Sequence, residues 1–171
     1  MVMVSVAGAA SSPWKGWRYC VNVRAAGNIA MDSVYAQSNG SVNIQSGGNL
    51  VLSATDIYAN SGKASLQALR HINLEAAQES RQHETYRSGS DRSCFLFFCE
   101  TTSWVNYHHN EYLLNKPVTV TAQDIEVKAG NNLNTYGTKF SSSRNLNLQA
   151  GDAINYFAVY DQKIETAKRD S

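Results

Sequence analysis

Val42-Asn43-Ile44-Gln45-Ser46-Gly47-Gly48-Asn49-Leu50-Val51-Leu52-Ser53-Ala54-Thr55-Asp56-Ile57-Tyr58-Ala59 carries three aliphatic pairs, Val42/Ile44, Leu50/Leu52 and Ile57/Ala59, seven or eight residues apart. Ala64/Leu66 and Ile72/Leu74 continue the beat. At a longer interval, Ile29-Ala30-Met31, Leu50-Val51-Leu52 and Ile72-Asn73-Leu74 line up with spacings of 21 and 22 residues. Such a period decides the architecture and is read before any local element. The members of a pair lie two apart, so on a strand both face the same side while the residue between them faces the other. Three short strands per unit of about 22 residues, repeated by stacking, predict a mainly β fold, a right-handed parallel β-helix.

The segments between strands support this. Asn39-Gly40-Ser41, Ser46-Gly47-Gly48 and Ser61-Gly62-Lys63 are turn formers, and Gly and Asn tolerate the positive φ that a sharp corner demands. Ala54 and Ala76 fall 22 residues apart and are expected to stack where the cross-section narrows. After a gap the beat resumes with Val118/Val120, Ile125/Val127, Leu133, Phe140, Leu146/Leu148 and Ile154/Tyr156. The two stretches amount to four or five coils, a rod of about 20–25 Å at the usual strand spacing.

The expected organisation is therefore an irregular leader or cap over residues 1–19, coils over 20–77, an excursion over 78–117, coils again over 118–160, and a polar tail over 161–171 that starts a second excursion. Met1 to Ser12 are small and apolar without the basic stretch of a secretory signal. Trp14, Trp17 and Tyr19 are expected to cover an end of the core. No polar cap of the kind repeat rods need follows Ile154, so the rod is expected to belong to a longer array.

Bulk composition agrees and excludes some functions. Of 171 residues 43% are hydrophobic and only 17% charged, which suits short strands and tight corners rather than surface helices. A formal net charge of +1 provides no field for nucleic acid, and nucleic-acid binding is set aside. No apolar run is long enough to span a bilayer as a helix.

The excursion is where chemistry concentrates. It holds His83, His108 and His109, together with Trp104, Tyr86, Tyr107, Tyr112 and the cysteines Cys94 and Cys99. Forty structureless residues are improbable in a compact domain, and Thr101 to Tyr107 are rich in strand formers. A long hairpin follows. Cys94 and Cys99 enclose Phe95-Leu96-Phe97-Phe98, a spacing that allows a disulfide across a hairpin tip, with free thiols the other reading. Oxidation would imply an oxidising compartment. Cys20 is left as the odd one. If Cys94 faces Cys99, register counting places Tyr86 opposite Tyr107 and Glu84 opposite His109, unless Ser88-Gly89-Ser90-Asp91 bulges and breaks the register.

Gly48-Asn49-Leu50-Val51-Leu52-Ser53-Ala54 and Arg144-Asn145-Leu146-Asn147-Leu148-Gln149-Ala150-Gly151-Asp152 resemble the haemagglutinin repeats of filamentous-haemagglutinin-type exoproteins. These include haemolysin-like adhesins and the stalks of contact-dependent growth-inhibition toxins. The excursion is similar to the interruption of their more C-terminal repeat region, and the likeness covers about residues 27–165. The resemblance implies two-partner secretion through an outer-membrane partner, a location that is secreted or at the bacterial cell surface, a role in virulence, and contact with a receptor on a host or neighbouring cell. An Asn-Pro-Asn-type secretion motif and a toxin module are both missing, and cysteines are unusual in such rods.

Candidate sites are few. No catalytic set and no metal site is expected, and no cofactor. His108 and His109 are adjacent and face opposite sides of a strand, so surface polarity explains them better than a metal. Asp56, Asp124, Asp152 and Asp161 invite comparison with the acidic cluster of a polysaccharide lyase or glycoside hydrolase on a β-helix, the alternative function. They are spread one per strand or turn, with no pair and basic partner on one face, which turn positions explain. Phe95, Leu96, Phe97 and Phe98, with Trp104 and Tyr107, are the candidates for partner contact, including self-association through the arm, because exposed apolar patches mark contacts.

Overall fold

The structure, a computed structural model, describes residues 2–9 and 18–170, with the side chains of 20–168. All its regular elements are strands. β1 (Val2–Ala9) precedes the first coil, which contains β2 (Arg18–Ala25), β3 (Ile29–Asp32) and β4 (Tyr35–Ser38). The second coil has β5 (Val42–Ser46), β6 (Leu50–Ser53) and the first part of β7 (Asp56–Ala68). The rest of β7 opens the third coil, followed by β8 (Ile72–Glu75) and then by β9 (Ala77–Phe95) and β10 (Phe98–Lys116), which leave the coil and return to it. The first part of β11 (Thr119–Ala129) completes it. β11 continues into the fourth coil with β12 (Leu133–Tyr136) and the first part of β13 (Lys139–Ala150). β13 continues into the fifth with β14 (Ile154–Phe157), and β15 (Gln162–Asp170) follows. The chain divides into two compact units: the coils, and a second unit of residues 78–115 and 160–171.

The coils form a parallel β-solenoid whose rungs are counted by the five-stranded sheet β14-β12-β8-β6-β3. Like residues stack because each coil repeats the last in parallel register. Ile29, Leu50, Ile72, Leu133 and Ile154 form one column, and Val23, Ile44, Leu66, Val127 and Leu148 another. Every aliphatic pair from Val42 to Leu133 in the sequence beat is fully buried. The outermost rung differs. Leu146 and Ile154 keep their columns but stand 47% and 38% exposed. Among the described residues no strand pairs with the far edges of β13 and β14.

The excursion enters in the middle of one coil. β11 aligns with β7 so that Val120 sits over Ile57 and Ala122 over Ala59, as if residues 78–115 were absent. The returning beat is thus one pair later than its first member, Val118, suggests. The difference is absorbed between Ala122 and Asp124, where the register shifts and one residue faces three of β7. In β7, β11 and β13 the third corner is accordingly an irregularity inside a continuous strand, whereas in the first coil Asn39-Gly40-Ser41 separate β4 from β5.

The glycine corners work differently from the expectation. Among the described glycines only Gly137 has φ in the left-handed region, 63°, and the equivalent corners three and two coils earlier are held by Ser33 and Ala54 at 53° and 45°. Gly47 and Gly130 instead mark close approach: an added Cβ would lie closer than 3.0 Å to the carbonyl oxygens of Ala26 and Leu69 on the coil beneath. Ala54 is fully buried, whereas Ala76, where the chain departs, is only half-buried.

Asparagines bind the coils along their outer edges. Asn134 donates from Nδ2 to Asn73 Oδ1, and Asn155 to Asn134 Oδ1, both at 2.9 Å. At a corner, Asn28 Oδ1 accepts from the Asn49 amide at 2.8 Å, and Asn49 Oδ1 from the His71 amide at 3.3 Å. His71 continues the ladder, its Nδ1 accepting from the Asn132 amide. Buried Ser46 donates to the carbonyl oxygen of Gly27 at 2.8 Å or of Asn49 at 2.9 Å, and among the described residues no buried side-chain polar atom is orphaned.

The leader is not irregular throughout: Val2–Ala9 pairs antiparallel with Arg18–Ala25 and covers the free edge of the first coil. An edge strand otherwise exposes unpaired amides, which explains the pairing. Trp14 and Trp17, expected over the core end, lie outside the described residues, as does the side chain of Tyr19. Cys20 is a free, half-buried thiol.

Candidate functional site

The second unit is an antiparallel sheet in the order β15-β10-β9. Its hairpin limbs are the long strands expected from the β formers, and the contacts between them fall on one register. Tyr86 meets Tyr107 with ring centroids 4.9 Å apart. Glu84 Oε1 lies 3.2 Å from His109 Nδ1 and accepts a hydrogen bond from the Tyr107 hydroxyl at 3.1 Å. Trp104 lies over Gly89, where a Cβ would collide with its indole ring. Ser88 to Asp91 therefore form no bulge; the glycine makes room for the tryptophan.

Cys94 and Cys99 are joined by a disulfide. Beyond it, Phe95 and Phe98 end the two strands and Leu96 and Phe97 make the turn. The four are 78%, 80%, 95% and 83% exposed. Leu96 has φ 53°, a conformation that hairpin turns usually give to Gly or Asn. The candidate contact residues do not all come together. Trp104 and Tyr107, an odd number of positions apart on β10, face opposite sides of the sheet, and both are half-buried within it. The exposed patch is the tip alone.

The disulfide closes a very short loop, so the chain-entropy effect is about 2 kcal/mol and local. Replacing both cysteines by serine should leave the thermal transition of the coils unmoved while raising proteolysis between residues 94 and 99. A matching fall in the transition of the coils would contradict a local role.

One face of the sheet carries Glu84, Tyr86, Tyr107 and His109. Partial burial, and next the hydrogen bond to Glu84, raise the Tyr107 phenol above the ordinary tyrosine value. Because the folded value is the higher, this contribution to stability is complete below about pH 10 and is lost as pH rises through the folded value. Glu84→Gln should bring the phenol back toward that value in a phenolate absorbance titration.

The other face forms an open groove of about 630 Å3 lined by His83, Thr85, Arg87, Asn106, His108 and Asn110, with Glu165 of β15 beside them. His108 and His109 are thus parted, as their adjacency requires. No group of three metal-ligating side chains assembles among the described residues. The polar alternation Asn106-His108-Asn110 against His83-Thr85-Arg87 was readable in the sequence as a second sheet face. Unforeseen was the third strand. Gln162–Asp170 pairs antiparallel with β10, Leu113 facing Gln162. Asn115 anchors the start of this pairing, its amide donating to Asp161 Oδ1 and its Nδ2 to the Tyr160 carbonyl, each at 2.7 Å. Lys163, held above its usual pKa by Glu165, sits 5.6 Å from the Tyr112 ring.

On the coils, a small groove of about 250 Å3 is lined by Lys63, Asp124, Glu126, Asn145 and Asn147. Two carboxylates and basic partners do share a face here, contrary to the reading of scattered acids. Both are engaged: Asp124 pairs with Arg144 and receives Asn145 Nδ2 at 3.0 Å, and Glu126 pairs with Lys63 at 2.6 Å.

A parallel solenoid interrupted by a stapled antiparallel hairpin defines a repeat-built β-solenoid protein. Residues 27–94 match the family described as hemagglutinin repeat, which supports a filamentous-haemagglutinin-like protein. The match takes in the first coils and the outgoing limb of the hairpin up to Cys94, and supports an adhesive exoprotein segment. No curated protein and no solved structure matches the chain.

Proposed function

We propose that this chain is a non-catalytic structural and adhesive segment of a secreted, cell-surface haemagglutinin- or haemolysin-like exoprotein, exported by an outer-membrane partner. The solenoid holds the segment, and the hairpin tip meets a host or neighbouring cell. The observation that carries this reading is the hemagglutinin repeat over residues 27–94 combined with a tip of four large apolar side chains that are almost wholly exposed. Contiguous exposed apolar side chains of this kind mark contact sites. Labelled full-length chain should bind cultured epithelial cells or bacteria, and Phe97→Ser/Phe98→Ser should lose most of that binding while keeping the wild-type circular dichroism spectrum. Equal binding by the variant would sink the role of the tip.

The groove of Lys63, Asp124 and Glu126 favours one second reading, a carbohydrate-active β-helix enzyme. Its carboxylates are paired with Lys63 and Arg144, which weakens each as a base and supports the non-catalytic reading. Polygalacturonate and alginate incubated with the chain and calcium are expected to show no new unsaturated ends; their appearance would establish the lyase instead.

A further inference from the structure

We propose that the Cys94–Cys99 tip inserts into the apolar layer of a lipid bilayer, so that its contact is with lipid and not with a protein receptor; this rests on the adhesive reading of the tip. The directions of the side chains favour lipid. Phe95 and Phe98 end facing strands, on the side opposite the disulfide by strand alternation, while Leu96 and Phe97 lie on the turn itself. All four are at least 78% exposed. A protein surface covers one side of such a knob, whereas a fluid apolar medium surrounds it on every side.

Two features keep the knob in that form. The disulfide ties the strands directly beneath the turn, so the two limbs cannot splay and the turn keeps its place at the end of the arm. Leu96 occupies a left-handed conformation at φ 53°, where glycine or asparagine is at less cost. An apolar side chain kept at a position the backbone disfavours points to use of that side chain.

The neck limits the depth and identifies the force. Asp91, Arg92 and Ser93 lead into the tip, and Glu100, Thr101 and Thr102 lead out of it. Polar strands with an open edge do not enter hydrocarbon, so insertion stops at the four apolar residues, about 5–10 Å deep as for other interfacial segments. The neck sets Arg92 against Asp91 and Glu100, a small negative surplus, so no attraction to anionic lipid assists it and binding depends on apolar burial.

Flotation of the full chain with phosphatidylcholine vesicles, and with vesicles containing phosphatidylglycerol, tests this. Equal recovery with both, unchanged at high salt, is expected, with Phe97→Ser/Phe98→Ser reducing partitioning at least about tenfold. Phe97→Trp should still float, and its added fluorescence should be quenched by lipids brominated near the headgroup end of the acyl chain. Failure of the wild type to float, equal flotation of the serine variant, or binding only to anionic vesicles at low salt would each overturn the proposal. So would tip-dependent dimers in sedimentation without vesicle binding, which would assign the tip to a second copy. Tip-dependent adhesion to cells without vesicle binding would reject lipid yet leave the adhesive reading standing, because the vesicles hold no receptor.

Discussion

Leu66→Ala is expected to lower the stability of the solenoid by about 2–5 kcal/mol, read from urea denaturation of the full chain. Leu66 is fully buried, with Ile44 on the coil before it and Val127 on the coil after it. Its loss removes transfer free energy and leaves a cavity that two flanking coils, fixed by their backbone ladders, cannot close. The same column supplies the control. Leu148 is its counterpart on the outermost rung, half-buried with no coil beyond it among the described residues. Leu148→Ala should cost only about 1 kcal/mol, because the lost area was partly in water already. Equal costs at both positions would mean that the column is not the unit of stability.

Gly130→Ala should be a severe single-methyl change, about 2–4 kcal/mol or loss of folding. Its amide donates to the Ala68 carbonyl at 3.0 Å, and the new Cβ would press on the Leu69 carbonyl. Neither atom can give way without opening the ladder that joins the third and fourth coils. Gly27 lies in the equivalent corner on the first coil, one position further on, and nothing lies within 4 Å of a Cβ there. Gly27→Ala should therefore be neutral or stabilise by up to about 1 kcal/mol, through the less flexible unfolded chain. Thermal denaturation of the two variants beside the wild type distinguishes stacking from simple corner flexibility. A similar, small effect at both would refute the close-approach role.

These pairs also show why the sequence was so legible along the coils. Leu50, Ile72 and Leu133 bury the same kind of side chain because each copy meets the same neighbours. A local pattern then carries tertiary information, which is rarely so in folds built from unlike elements. The corners were read less well. Gly47 sits in a corner expected to need a positive φ and takes none, while Ser33, outside the expected corners, does. Gly47 is explained by Ala26 on another coil, a contact that local composition does not encode.

The candidate site divides in the same way. The hairpin register followed from Cys94 and Cys99 because antiparallel pairing makes one fixed point determine all others. Trp104 and Tyr107, grouped with the tip in sequence, part company in space because they lie on opposite faces of one strand. Lys63, Asp124 and Glu126 were missed because two coils separated by the whole excursion bring them together.

What the sequence determined by itself was the coil, its period and the hairpin that interrupts it, since each rests on repetition or on one local staple. What only the tertiary structure decided was where the interruption enters a coil, which strand completes the hairpin sheet, and which of its aromatic residues remain open to contact. Those depend on bulges, on the pairing of Gln162–Asp170 with β10 and on strand alternation. All three are set by neighbours distant in the chain, and no period records them.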